Sequence, residues 1–297
     1  MEKEILVLSD IHGRGNELKV IVRKILNRLD NFKIILMGDY IGYGNNNIEV
    51  VKMLKFLEEN AECIFLKGNW EDMLYTYIKN KSSQDEWDKS KIRSFQNRGG
   101  IHTLNQFSKN KQALDYFINL IEKMSLIHTE MINKEAYVFA HSGINLFVED
   151  SMDLGVTLCI NNYDNDDNIF DDDDIFDDDF SQDLFNFEEN EDNKNYLMEL
   201  SEYETIISNQ TPMDLMWNFN FYSDIEQYSY ILEGLPFKIV AGHTPTYILN
   251  KNNPFEVYNF ENKILGVDFG ASSKKGKIGL VNLSKPRYPT LFQDIIK

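Results

Sequence analysis

Residues 4–13 read EILVLSDIHG: an apolar run ends at a serine, and an aspartate and a histidine follow two positions apart. Unbroken runs of Ile, Leu and Val this short suit a strand covered on both faces, as in a parallel sheet with helices and a second layer around it. In an extended loop, residues i and i+2 point the same way. Asp10 and His12 can therefore meet one ion just past the strand's carboxyl end.

The same arrangement recurs four times further on. KIILM (33–37) leads to Gly38-Asp39, and CIFL (63–66) to Lys67-Gly68-Asn69. AYVFA (136–140) leads to His141-Ser142-Gly143, and FKIVA (237–241) to Gly242-His243-Thr244-Pro245. Each alone reads as an ordinary turn. Five in order, each after an apolar strand, read as one site, because open α/β sheets bind ligands at strand carboxyl ends. The set holds two Asp, one Asn and three His with no thiolate, which suits borderline divalent ions such as Mn, Fe or Zn. The Asp39 carboxylate could bridge two ions at the ~3.5–4 Å separation of two-metal hydrolases.

Between the first strands lie two helical patterns: Leu18, Ile21, Val22, Ile25, Leu26 and Leu29, then Ile48, Val51, Leu54 and Leu57. Strand–helix–strand–helix–strand with short loops argues for parallel pairing through crossover helices. Residues 70–130 read as a helical cap. FEVYNF, KILGVDF and KIGLVNL near the C-terminus alternate, and are expected to form a run of antiparallel strands. The whole, 1–297, is expected to be a single domain interrupted at 147–205 by an acidic, low-complexity insertion.

The chain's formal charge is −18 over 297 residues, but fifteen of its acids fall in 164–192, where there is no Lys or Arg. The remainder carries about −3, so no basic surface for nucleic acid is expected. The insertion, centred on NIFDDDDIFDDDF (168–180), reads either as a solvated segment or as an interaction segment for a basic protein partner. It is no calcium loop, since Ile169 and Ile175 take the required glycine and glutamate positions. The start, MEKEILVLSD, lacks a signal peptide's layout, and no apolar run reaches the ~18–20 residues of a membrane span. Cys63 and Cys159 have no paired-cysteine spacing. A soluble cytoplasmic protein is the expectation.

The motifs Asp10-x-His12, Gly38-Asp39, Gly68-Asn69, His141 and Gly242-His243 resemble, in order, the signature of the calcineurin-like metallophosphoesterase superfamily. Gly242-His243-Thr244-Pro245, GVDFGA (266–271) and NRGGIHTL (97–104) are similar to its bacterial serine/threonine phosphoprotein phosphatase-like branch. The resemblance covers 5–145 and 237–283. It implies a four-layer α/β/β/α sandwich and hydrolysis of a phosphorylated protein or small phosphorylated substrate by a metal-bridging hydroxide. It places Asp10, His12 and Asp39 on a first ion and Asp39, Asn69, His141 and His243 on a second, with manganese expected. Asp39, Asn69 and His141 are the residues expected to bear on catalysis. A nucleotide phosphoanhydride or phosphodiester hydrolase, and a low-turnover phosphate-binding regulator, are the other readings.

The departures are selective. Gly-Asp-x-x-Asp-Arg-Gly in the phosphatases appears as GDYIGYG (38–44), which is close to the version found in other small bacterial members. The aspartate that orients the family's acid histidine is thus Gly42, and a phosphate-binding arginine is Tyr43. The acid histidine itself is Trp70, whose indole N–H is no acid at neutral pH. The arginine before Gly-Asn is Lys67, and a Trp-x-Arg phosphate contact corresponds to Trp217-Asn218-Phe219. Lys67, Arg98 and Tyr43 remain as substrate-binding candidates, and His102 as a substitute acid. His128 reads as structural. Asp268 is expected to hydrogen-bond a ligand histidine, and Glu71 and Asp72 to favour the dipole of the helix they open.

Overall fold

The fold is a computed structural model that describes residues 3–27, 31–146 and 207–292. The acidic insertion and Leu29 lie outside them.

Strand β1 (Glu4–Leu8) sorts its side chains by the two-residue period of a strand. Ile5 and Val7 face a core between two sheets, with Ile35, Met37, Tyr137, Phe139, Val240 and Leu265. Leu6 and Leu8 face helices, joining a core with Leu18, Ile21, Leu54, Phe95 and Phe117. The first sheet runs β10-β9-β1-β2-β3. β1 pairs in parallel with β2 (Phe32–Leu36), and β2 with β3 (Glu62–Phe65). Being at the sheet's edge, β3 is only half-buried, where CIFL had read as a covered strand.

The second sheet runs β4-β5-β6-β8-β7, with β5 (Glu135–Ala140), β6 (Phe237–Ala241) and β8 (Ile264–Gly266) parallel. Its outer face packs on α7 (Pro212–Met216), α8 (Phe221–Gln227) and the turn at 229–232 through Leu215, Phe221, Ile225 and Leu232. The layers are therefore α/β/β/α, as expected.

Helices α1 (Gly15–Leu26) and α2 (Asn47–Asn60) are the two crossovers. Leu26, at the frayed end of the α1 stripe, is exposed. The helical cap is present as α3 (Asn69–Lys79), α4 (Glu86–Asn97), α5 (Gly100–Phe107) and α6 (Lys111–Ile121), sharing one core with α1 and α2.

Two expectations need correction. β4 (Ile127–Ile132), at the end of the supposedly helical stretch, is an edge strand hairpinned onto β5 through Asn133 and Lys134, both at positive φ. The C-terminal strands are not one antiparallel run. β7 (Tyr258–Phe260) and β8 form a hairpin in the second sheet, whereas β9 (Gly279–Asn282) crosses to the first and pairs antiparallel with β1, followed by β10 (Thr290–Phe292). Alternation sets which face a residue takes and leaves the partner strand open.

Candidate metal centre

β1, β2 and β3 of one sheet and β5 and β6 of the other end at the same rim, and each delivers the residue expected of it. The loops are tightly cross-tied. The Asp10 N–H donates to the Gly38 carbonyl (3.2 Å), His12 N–H to Asp39 O (2.9 Å) and Gly242 N–H to His141 O (2.9 Å). Asp10, His12, Asp39 and His243 all have positive φ, between 45° and 64°. Non-glycine residues seldom adopt that region, and strain of this kind persists only where surrounding structure imposes it.

The donor atoms fall into two groups that share Asp39: Asp10, His12 and Asp39, and Asp39, His141 and His243. His12 Nε2 stands 3.7 Å from both Asp10 Oδ1 and Asp39 Oδ2, and His141 Nε2 lies 3.5 Å from Asp39 Oδ1. The other nitrogens are occupied by backbone: His12 Nδ1 pairs with Ile41 O (3.3 Å) and His141 Nδ1 with Met37 O (2.9 Å). As donors to carbonyls, these Nδ1–H groups leave each Nε2 as the unprotonated nitrogen, the form that ligates a cation. His141 Nε2 and His243 Nδ1 face one another at 3.1 Å.

These residues fit divalent ions on three grounds. Asp10 Oδ1 and Asn69 Oδ1 are buried with no hydrogen-bond partner, a costly state for a polar oxygen unless a ligand meets it. Burial lowers the pKa of His12 to about 4 against the pull of Asp10, and it also lowers His141 and His243, so the imidazoles are in their ligating, neutral form. Burial, then the charges of Glu71 and Asp10, raises Asp39 well above the carboxylate range; burial and Asp10 do the same to Asp268. Four acids crowded in one dry site call for positive charge.

Glu71 has a larger part than a helix-dipole acid. Fully buried, it accepts from the backbone N–H groups of Asp39 (2.7 Å), Tyr40 (3.0 Å) and Gly68 (3.1 Å). It thereby clamps the two loops that carry Asp39 and Asn69. A side chain at Gly68 would collide with Asp39, so only glycine allows that approach. Sequence reasoning missed this role; the signal was a Glu three residues beyond the helix N-cap.

Around the ligands, Trp70 is buried, with its backbone N–H on Asp39 Oδ1 (3.0 Å) and its ring 6.0 Å from that of His12. Tyr43 is exposed and packs edge-to-face on His12 (5.2 Å) and Trp70 (4.9 Å). Phe219, also exposed, leans on His243 at 4.7 Å, while Trp217 is buried and donates to Asp72 (3.2 Å). Arg98, exposed at the end of α4, lies near enough for its charge to depress His243. Lys67 sits half-buried within the field of Asp72, Glu71 and Lys91. His102 is bound to Asn45 (3.0 Å), and His128 pairs with Glu130 in β4. Asp268 accepts from the Gly270 N–H, and the bonds expected of it to a ligand histidine are made by main-chain carbonyls.

The sequence profile of the calcineurin-like phosphoesterase domain matches residues 3–199. The chain belongs to the calcineurin-like phosphoesterase family. Members of that family are phosphoesterases that work with two metal ions. A symmetrical bis(5'-nucleosyl)-tetraphosphatase of Wigglesworthia glossinidia brevipalpis is 28% identical over 129 residues, 43% of this chain and 45% of that protein. The match thus spans less than half of that relative's length. The cold-active protein-tyrosine phosphatase of a psychrophilic Shewanella superposes over 99% of this chain and 79% of its own, with a TM-score of 0.50 and 15% identity, a likeness of fold alone. A Saccharomyces cerevisiae protein serine/threonine phosphatase gives 0.46 at 13% identity over 98% and 78% of the two chains. No helix among the described residues is long and apolar enough to cross a membrane.

Proposed function

We propose that this calcineurin-like phosphoesterase is a phosphatase whose six ligands Asp10, His12, Asp39, Asn69, His141 and His243 hold two divalent ions, with manganese the first candidate and iron or zinc after it. One observation carries the reading: two ligand groups share Asp39, and unpartnered buried oxygens of Asp10 and Asn69 complete them. Bound there, divalent ions would draw charge from the phosphoryl oxygens and make water acidic enough to serve as nucleophile. The protein's part is to keep three imidazoles neutral, to hold four ligands in a strained backbone geometry, and to place Arg98 where its charge reaches His243. Lys67, Arg98 and Tyr43 are proposed to meet the substrate, a phosphorylated protein or small phosphoester.

No acid stands where the family's histidine would be, because Trp70 is buried and its indole cannot release a proton at neutral pH. That loss, together with the partial match to a nucleosyl-tetraphosphatase, supports a second reading: a nucleotide phosphoanhydride hydrolase, whose phosphate leaving group needs little protonation. Among the described residues Cys63 is in no disulfide, and a cytoplasmic setting is part of the proposal. The single domain and a protein partner for the acidic insertion belong to the same proposal.

Metal-stripped protein reloaded with manganese, zinc or iron and assayed on phosphopeptides, aryl phosphates and nucleotides tests this. Metal-dependent release of phosphate from monoesters is expected. Cleavage of dinucleoside polyphosphates alone would favour the second reading, and ion and phosphate binding without turnover would favour a regulator.

A further inference from the structure

We propose that Tyr43 and Phe219 form two aromatic walls selecting phosphoesters whose phosphate is bonded directly to an aryl ring, an inference that rests on the phosphatase reading above. The two rings are unusual in combining high exposure with contact to the ligand set. Tyr43 is 44% exposed and Phe219 56%, yet each touches a ligand imidazole, His12 at 5.2 Å and His243 at 4.7 Å. His12 and His243 belong to different ligand groups that meet at Asp39, so the rings border the two halves of the centre. Neither ring is loose. Tyr43 is held by His12 and Trp70 at interplanar angles of 65° and 69°, and Phe219 by His243 and by Trp217 at 6.4 Å. Rings fixed before a ligand arrives lose little freedom on binding it.

Their positions are also the ones at which the family resemblance places arginine. Replacing a guanidinium by an aromatic ring removes a bidentate phosphate contact and substitutes a surface that attracts π systems. What remains for the phosphoryl oxygens is the metal centre with Lys67 and Arg98. The scale of the site chooses the kind of π system. Walls that touch the ligand imidazoles meet groups one or two bonds from phosphorus, which is where an aryl ester carries its ring. A nucleoside phosphate holds its base a full sugar further away.

Non-hydrolysable phosphonates separate this idea from the phosphatase reading. Calorimetry on the manganese-loaded protein would compare phenylphosphonate with methylphosphonate, the latter reporting the phosphoryl site alone. Phenylphosphonate should bind more tightly, and Tyr43→Leu and Phe219→Leu should each cut the phenyl-to-methyl affinity ratio roughly two- to tenfold. Tyr43→Phe and Phe219→Tyr, which keep the ring, should keep the ratio. The same ordering should appear in KM when phenyl phosphate is compared with a fluorinated alkyl phosphate of matched leaving-group acidity. Equal affinity for both phosphonates in the unaltered protein, or a ratio that neither leucine variant lowers, overturns the aromatic walls while leaving the phosphatase intact. Binding of neither phosphonate overturns both.

Discussion

Trp70 and Gly42 interlock: a Cβ placed on Gly42 would lie 3.0 Å from Cδ2 and Cε2 of the Trp70 ring. By the sequence resemblance these are the positions of the family's acid histidine and its orienting aspartate, and here the indole leaves little room for a side chain at residue 42. Gly42 also has φ +126°, a conformation that L residues rarely adopt. Its N–H and carbonyl are both held by Asn47, and Thr103 donates to the same carbonyl.

Rebuilding the acid is therefore expected to fail. From sequence alone, Gly42→Asp with Trp70→His should recover more leaving-group assistance than Trp70→His by itself. The left-handed φ at Gly42 removes that expectation. Trp70→His should cost about 3 kcal/mol or more of stability through loss of a buried indole, and Gly42→Ala about 1–3 kcal/mol through overpacking. Denaturant midpoints measure both, and a double variant faster on alkyl phosphates than the parent would contradict the claim.

Without an acid at position 70, the rate should depend steeply on the leaving group. A positioned general acid contributes about 10²–10⁴-fold. Across aryl phosphates of graded phenol acidity, kcat should drop sharply as the leaving-group pKa climbs. A flat series would reveal a substitute acid, and His102, tied to Asn45 at the α5 edge, would be the residue to change.

Asp39→Asn removes the charge common to both ligand groups while keeping an oxygen for the Trp70 N–H. Activity should fall to background, since the bridging position contributes several kcal/mol of charge stabilisation. Metal analysis after gel filtration should find fewer than two ions bound. Retention of both ions with full turnover would remove Asp39 from the bridge.

Glu71→Gln sets an amide against N–H groups that now share a carboxylate. One donor would face another, at about 1–3 kcal/mol. Because the clamp orients ligand loops, metal affinity should weaken by about 10–100-fold. Isothermal titration with manganese reads this directly, and an unchanged affinity would reduce Glu71 to a packing role.

The metal-free protein should lose stability as the pH rises above about 6.5. Burial, followed by neighbouring negative charge, raises Asp39 and Asp268 well above the carboxylate range, and burial raises Glu71 to about 7. A raised carboxyl stabilises the fold at low pH, and that contribution is lost as the pH passes its folded pKa. The histidines are lowered and act with the opposite sign, but only below their unfolded value of 6.5. Between that value and about pH 7, where Glu71 titrates in the fold, the raised carboxyls set the sign. Melting temperature in chelator should decline over that interval, and manganese should flatten the decline. A level or rising curve in chelator would count against it.

Most of the centre was legible in the chain. Each candidate ligand follows an apolar run of four or five residues, and such runs form strands even where, as in β3, the edge leaves them half-covered, so the order strand-then-ligand survives without knowledge of the fold. Asp10, His12, Asp39, Asn69, His141 and His243 were found this way, as were the crossover helices. Strand partners were not. β9 leaves the C-terminal hairpin for β1, some 270 positions earlier in sequence, because pairing depends on which sheet edge is open in space. Edge strand β4 was hidden because its four central residues, His128, Thr129, Glu130 and Met131, are only half-covered and break the apolar run that marks a buried strand.

The sequence by itself determined which six nitrogen- and oxygen-bearing residues follow the strands as candidate ligands, since side-chain chemistry and the two-residue strand period are local properties. The tertiary structure alone decided what surrounds them. Glu71 reads in the sequence as an acid that favours the helix dipole, yet in the fold it clamps two loops, and the imidazoles of His12 and His141 bond the carbonyls of Ile41 and Met37 while Asp268 accepts from the Gly270 N–H. Gly42 and Trp70 read in the sequence as the loss of one acid pair, and only the fold shows that they touch, because van der Waals exclusion acts between residues 28 positions apart only once the chain has brought them together.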